Sequence, residues 1–162
     1  MNHFMMNMPR LLIFFVGTLL IGFLTSCDEN DQFQSVDFST VPDAPDTTGA
    51  ERHELDGGVV IYIHQEGDGR FQVGDRDMVL ARYTMRTLDE RIHDSTWANG
   101  NETASDLDMR SVIQGVRLGM NGMTEGGERT LIIPPEYGYA GTGNELANDT
   151  LHFHVELEEV LD

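Results

Sequence analysis

The stretch 111-SVIQGVRLGMNGMTEGGERTLIIPPEYGYAGTGNELANDTLHF-153 carries the reading of the whole chain. Its first residues predict a short helix, because Val112, Val116 and Gly119 fall on one face at helical spacing. The Gly- and Glu-rich turn Thr124 to Gly127 stops that helix. A β-branched strand follows over Thr130 to Ile133, ended by Pro134 and Pro135, which cannot continue a ladder. Tyr137 and Tyr139 then stand two apart in a Gly-rich loop. From Leu151 the alternation is regular. Leu151, Phe153, Val155 and Leu157 point inward, and His152, His154, Glu156 and Glu158 point outward.

Upstream, Leu55 to Gly58 reads as a turn into a strand over Val59 to His64. Gly67-Asp68-Gly69 turns the chain, and Phe71 to Asp77 leads through a second turn, Gly74-Asp75, to a strand over Met78 to Met85. On that strand Val79, Ala81 and Tyr83 share one face, and Leu80, Arg82 and Thr84 the other. Leu88 to Asp94 follows past the acidic turn Asp89-Glu90. Together these elements predict an α+β domain, an antiparallel β-sheet wrapped around one short α-helix.

The order V-I-x-G, then G-G-x-R-x-L-x-I-P-P-E-Y-G-Y, then T-L-x-F-x-V-E-L resembles the FKBP-type peptidyl-prolyl isomerases. The opening pattern, G-x-x-I-x-x-x-x-E-G-D-G followed by V-x-A-R-Y-T, resembles the first strands of the same family. The resemblance implies a prolyl isomerase with an apolar pocket for a proline ring. It places the wall tyrosine on Tyr83, the pocket carboxylate on Asp94 and the lip tyrosine on Tyr139. It also places the ligand-binding backbone N–H on Ile113, with Val112 beside it and Phe153 as the deep aromatic wall. Val112 and Phe153 read equally well as plain core residues; a loop tyrosine and a strand-end carboxylate gain little from burial.

The chain departs from the family at several places. The floor tryptophan falls on Val116, and the aromatic beside the carboxylate falls on His93. A further aromatic falls near Thr103, and an arginine that partners the carboxylate falls on Asn99. The loop from Tyr139 to Thr150 is shorter than usual, with Leu146 as the expected apolar tip of the pocket. Trp97, the sole tryptophan, is placed either over the pocket mouth or at its rim. The chemistry implied is rotation about an amide whose barrier is about 18–20 kcal/mol. That rotation requires no nucleophile, metal or cofactor.

Composition narrows the partners. Twenty-eight acidic residues face ten basic ones, giving a net charge of −18. Every basic residue is arginine. Such a surface repels phosphate backbones, so nucleic acid is not expected as a partner. It reads either as adaptation to high salt or simply as a well-solvated surface. One cysteine excludes an internal disulfide. Met1 to Ser26 reads as an export signal, with Arg10 before the 14-residue apolar run Leu11 to Leu24, too short for a comfortable membrane span. Leu24-Thr25-Ser26-Cys27 resembles a bacterial lipobox, which makes Cys27 the expected site of lipidation (palmitate included) and of membrane attachment. Residues 27–54 are acidic and poor in apolar side chains, and are expected to form a flexible tether of roughly 25–30 Å. Residues 55–162 are expected to form the isomerase domain.

The combined expectation is a monomeric, lipid-anchored isomerase at a bacterial cell envelope, periplasmic or surface-exposed. It would act on proline-containing polypeptides and assist folding of exported proteins. The alternative is a non-catalytic envelope module that binds proline peptides or acts as a chaperone. His152 and His154 share a face at a spacing that can hold a metal, but with no third ligand apparent they read as solvated surface residues, and no metal is assigned. His93 and Asp94, adjacent on a strand, point to opposite faces and do not form an acid–base pair.

Overall fold

Strand β3, Met78–Thr87, is the long central ribbon on which the domain is assembled. The structure is a computed structural model and describes residues 35–161; the expected signal segment and Cys27 lie outside the described residues. The other strands are β1 (Glu51–Glu54), β2 (Val60–Gln65), β4 (Ile92–Ser95), β5 (Ser105–Asp108), β6 (Glu128–Ile133) and β7 (Leu151–Leu161). Among the described residues one α-helix, α1, spans Gln114–Met120. The sheet is ordered β1-β2-β6-β7-β3-β4, with β5 also paired to β3, and every pairing is antiparallel.

The alternation read from the sequence sets which face is buried. Val79 and Ala81 of β3, Leu131 and Ile133 of β6, and Leu151, Val155 and Leu157 of β7 are all buried on the side that meets α1. Two glycines bring the helix to the sheet. A Cβ on Gly115 would lie 2.2 Å from Ile133 Cγ2, and one on Gly119 would lie 2.6 Å from Leu131 Cδ2. Backbone contact of this kind is available only to glycine. The helix end is held from below, where the buried Arg129 Nη1 donates to the Gly119 carbonyl at 2.9 Å and the Asn121 carbonyl at 3.3 Å. A cation there satisfies carbonyls that lack helical partners and opposes the negative end of the helix dipole. Helix, glycines and arginine together fix the position of Val112, Ile113 and Val116.

Phe71 to Asp77 leads into β3 with a single bridge from Gln72 to Thr124. Two expectations need correction. Ser105–Asp108, not read from the sequence, pairs with β3 and brings Leu107 opposite Val79. Of the tether expected over residues 27–54, the described part from Ser35 onward lies against the domain. Asp37 N–H donates to Asn99 Oδ1 at 2.8 Å, and Asn99 N–H returns a bond to the Asp37 carbonyl at 2.7 Å. Thr40 Oγ1 donates to the Trp97 carbonyl at 2.7 Å, and the Arg86 guanidinium donates to the Pro42 carbonyl. β1 then pairs with β2, Glu54 opposite Val60. Low apolar content misled because backbone and amide hydrogen bonds, rather than buried hydrocarbon, hold this segment.

Candidate functional site

A cavity of about 210 Å³ opens between α1 and the concave face of the sheet. Its lining includes Tyr83, Asp94, Val112, Ile113, Val116, Tyr139 and Phe153, seven of the nine pocket residues expected from the sequence. Drug-sized ligands occupy about 300–1,000 Å³. A cavity below that range suits one ring or one side chain.

Each wall has a local cause. Tyr83 of β3 lies opposite Val155 of β7, and Met85 lies opposite Phe153, so the same face of two paired strands carries all three pocket side chains. The Tyr83 and Phe153 rings stack with centroids 5.2 Å apart and planes 17° apart. Val116, 3 % exposed, forms part of the base from the first turns of α1. Ile113 stands just before the helix in an extended conformation (φ −59°, ψ 152°). The neighbouring Val112 N–H is satisfied by the Asp108 carbonyl at 3.1 Å, whereas the Ile113 N–H meets no acceptor among the described residues. A backbone N–H at a helix entrance is a ready donor to a carbonyl oxygen.

The polar groups converge on one carboxylate. Asp94, paired with Met85 across β3 and β4, accepts a hydrogen bond from the Tyr83 hydroxyl at 2.8 Å. Burial, and then the bond to Asp94, push the Tyr83 hydroxyl well above the ordinary tyrosine range. Tyr139 is shifted in the same direction, by burial and then by the charge of Asp94. Both hydroxyls therefore stay protonated across the neutral range; the Tyr83 proton is committed to Asp94, and the Tyr139 hydroxyl is the one left to donate to a ligand. Tyr139 reaches the cavity because Pro134 and Pro135 set a tight turn, closed by bonds from the Tyr137 and Gly138 N–H groups to the Pro134 carbonyl. Tyr137, two residues earlier, packs its ring onto Gly57, which has φ +72°.

Two expected pocket residues are elsewhere. Because Asp94 faces the cavity, His93 turns to the other side of β4, where its Nε2 lies 3.3 Å from Thr87 Oγ1 and its ring is 10 % exposed. Leu146 is 4 % exposed within the core cluster and does not line the cavity. Its N–H is fixed by Asn144 Oδ1 at 2.8 Å. Trp97 covers no mouth; the Arg82 guanidinium lies 5.4 Å from its ring, beside the N-terminal segment. Met85, Leu107 and Ser111 line the cavity and were not singled out. Continuing the alternation Val79, Ala81, Tyr83 by one step finds Met85. Leu107 had no such signal, and it supplies an apolar wall that Thr103 does not.

The cavity offers one carboxylate and neither histidine nor cysteine, so it is not a metal site. It can hold a ring in an apolar slot while donors meet a carbonyl oxygen.

Comparison with known proteins gives the same picture. The sequence profile of the family described as FKBP-type peptidyl-prolyl cis-trans isomerase matches residues 69–158. The chain is 34% identical over 105 residues to FKBP-type peptidyl-prolyl cis-trans isomerase FkpA of Escherichia coli strain K12, covering 64% of this chain and 38% of that protein. It is also 34% identical over 120 residues to the FK506-binding protein of Neisseria meningitidis serogroup B, covering 65% of this chain and 99% of that one. Among solved structures, FkpA from Escherichia coli superposes with a TM-score of 0.61 at 29% identity, over 67% of this chain and 51% of that chain. A peptidyl-prolyl cis-trans isomerase from Pseudomonas syringae gives 0.60 at 24% identity, over 75% and 99%, and shares the fold. The chain thus spans well under half the length of FkpA itself.

Proposed function

The chain belongs to the FKBP-type peptidyl-prolyl cis-trans isomerase family, and on that footing we propose that it isomerises peptide bonds preceding proline in exported polypeptides. Unaided, such bonds turn over in tens to hundreds of seconds. The observation that carries the proposal is the pairing of a ring-sized apolar cavity with Asp94, Tyr139 and the free Ile113 N–H at its edge.

In this reading the proline ring enters between Tyr83, Phe153 and Val116. Loss of water around the amide removes hydrogen bonds that favour its planar form. The Ile113 N–H and the Tyr139 hydroxyl donate to carbonyl oxygens on either side of the ring and hold the backbone while the X–Pro bond rotates. Asp94, oriented by Tyr83, lies beside the twisting amide. As the nitrogen loses conjugation it becomes pyramidal, and donors and dipoles placed for that geometry lower the barrier. No covalent bond forms or breaks.

The protein would act as a monomer at a bacterial cell envelope, held to the membrane through lipid on Cys27, and would help exported proteins fold. Acyl chains at about 0.8 kcal/mol per buried methylene support stable attachment when more than one is present. Mass spectrometry of the mature chain, compared with Cys27→Ser, tests the anchor.

The activity test is NMR exchange spectroscopy on a short X–Pro peptide, at low and high salt. Wild-type chain accelerates exchange, and Tyr139→Phe combined with Asp94→Ala slows it by at least tenfold. Unchanged rates in the double variant would overturn the proposal. Val116 at the base, in place of a larger ring platform, favours a second reading in which the pocket binds proline segments without turning them. Saturable peptide binding with no acceleration selects that one.

A further inference from the structure

The sheet face turned away from the pocket carries a second cluster. Alternation along β7 sends Phe153 to the cavity and His154 to the reverse side. There His154 meets Thr130, its direct partner on β6. His64 arrives from β2, where the pairing with β6 shifts register between Ile63 and Gln65. His64 is the unpaired residue of that irregularity, a feature that re-aims side chains in sheets. Glu128, opposite Gln65, completes the group. His152, the other histidine on this face of β7, is not in the group; strand pairing brings His154 its two partners from residues more than twenty positions away.

We propose that His64, Glu128 and His154 form a binding site for one divalent transition-metal ion of the zinc type. One ligand atom from each residue lies within 4.8 Å of the other two. His154 Nε2 and Glu128 Oε1 are 3.5 Å apart, against the roughly 3.4 Å that tetrahedral bonds of about 2.0–2.1 Å impose. Two imidazoles with one carboxylate select zinc, cobalt or nickel over calcium or magnesium, which require oxygen ligands.

The supporting shell is present. Thr130, fully buried, places its Oγ1 2.8 Å from His64 Nε2 and 3.2 Å from His154 Nδ1. The site takes the tautomers in which both rings donate to Thr130 Oγ1, which leaves His64 Nδ1 and His154 Nε2 to bind metal; a polar partner behind a ligating histidine fixes its tautomer in this way. Space is present as well. A cavity of about 200 Å³ separates the sheet from the N-terminal segment, lined by Glu128, His154 and Glu156 on one side and Pro42, Asp43 and Pro45 on the other. That cavity, which Arg86 also lines and His64 does not, gives a water access to the fourth position from the side of Glu128 and His154. The ion would tie β2, β6 and β7 together, remote from the pocket.

The test uses full-length chain with Cys27→Ser, so that the sole thiol adds no ligand, after chelator treatment. Zinc is titrated by calorimetry and cobalt by visible absorption. The expected result is one tight equivalent, intense four-coordinate cobalt bands, and a rise in Tm of about 4 °C or more at saturation. Glu128→Gln and His154→Gln each weaken binding at least tenfold, and Thr130→Val weakens it without removing a ligand. His64→Gln, at the irregular end of β2, serves where a central variant does not fold, with circular dichroism confirming structure. Several weak equivalents, unchanged by His64→Gln and displaced equally by magnesium, would overturn the proposal and assign binding to the acidic surface.

Discussion

The Tyr83 hydroxyl donates to Asp94 Oδ2 at 2.8 Å while its ring stacks on Phe153. One side chain thus joins the polar rim of the pocket to its apolar wall. Tyr83→Phe keeps the stack and removes the bond. A hydrogen bond to a charged group is worth about 1.5–3 kcal/mol, so kcat/KM should fall roughly tenfold, and Asp94→Asn should do likewise. Because the two act as one unit, the double variant should lose little more than either single. Additive losses in that cycle, measured by peptide exchange, would show that the bond does not couple the two residues.

The pocket floor depends on the approach of α1 to β6. Gly115→Ala introduces a methyl 2.2 Å from Ile133 Cγ2 and must displace helix or strand. Overpacking of this kind costs about 1–3 kcal/mol. Urea unfolding should show that loss, and activity should fall beyond what the unfolded fraction explains, because Ile113 and Val116 move with the helix. Equal stability of variant and wild type would mean that the helix slides freely.

The segment from Ser35 should be part of the folded unit. Deleting residues 35–46 removes the reciprocal Asp37–Asn99 bonds and the Thr40 bond to Trp97. At about 0.5–1.5 kcal/mol for each bond, less where water reaches it, the loss should total roughly 1–3 kcal/mol. Trp97 is the only tryptophan, so its fluorescence reports directly, and its emission should shift to the red. An unshifted spectrum would detach the segment from the domain.

Acid should unfold the metal-free chain partly through His154. Burial, reinforced by His64, His152 and Arg86, pushes its imidazole down to about 4, although Glu128 at 3.5 Å and Glu156 at 3.9 Å favour protonation. The ring is therefore neutral at pH 7 and its contact with Glu128 is not an ion pair. An unfolded histidine takes up its proton near 6.5. Between about 6.5 and 4 the unfolded state holds up to one more proton, so stability falls as pH drops through that window and levels off below it. Urea midpoints in chelator at pH 7.5, 5.5 and 4.5 should show this slope reduced in His154→Gln.

Much of this was readable beforehand, for reasons that differ by residue. Tyr83, Asp94, Val112, Ile113, Val116, Tyr139 and Phe153 were placed by the resemblance to the FKBP family, whose motifs fix their positions in the chain, and all seven line the cavity. Asp94 also excluded His93, because neighbours on a strand face opposite ways; the family position nonetheless suggested His93 for the pocket. Leu146 was placed by loop length alone, and loop length does not say which way a side chain turns. Leu107 belongs to a four-residue strand too short to show a period.

Periodicity in the chain was enough to establish the alternating strands and the helix α1, since these follow from bonds between near neighbours and from the period of each element; the residues around the slot were named only through the resemblance of their motifs to the FKBP family. The folded arrangement alone established that residues 37–40 dock on the Trp97 turn and that His64, Glu128 and His154 converge. Both depend on pairing between segments distant in the chain, where a register shift of one residue moves a side chain to the other face.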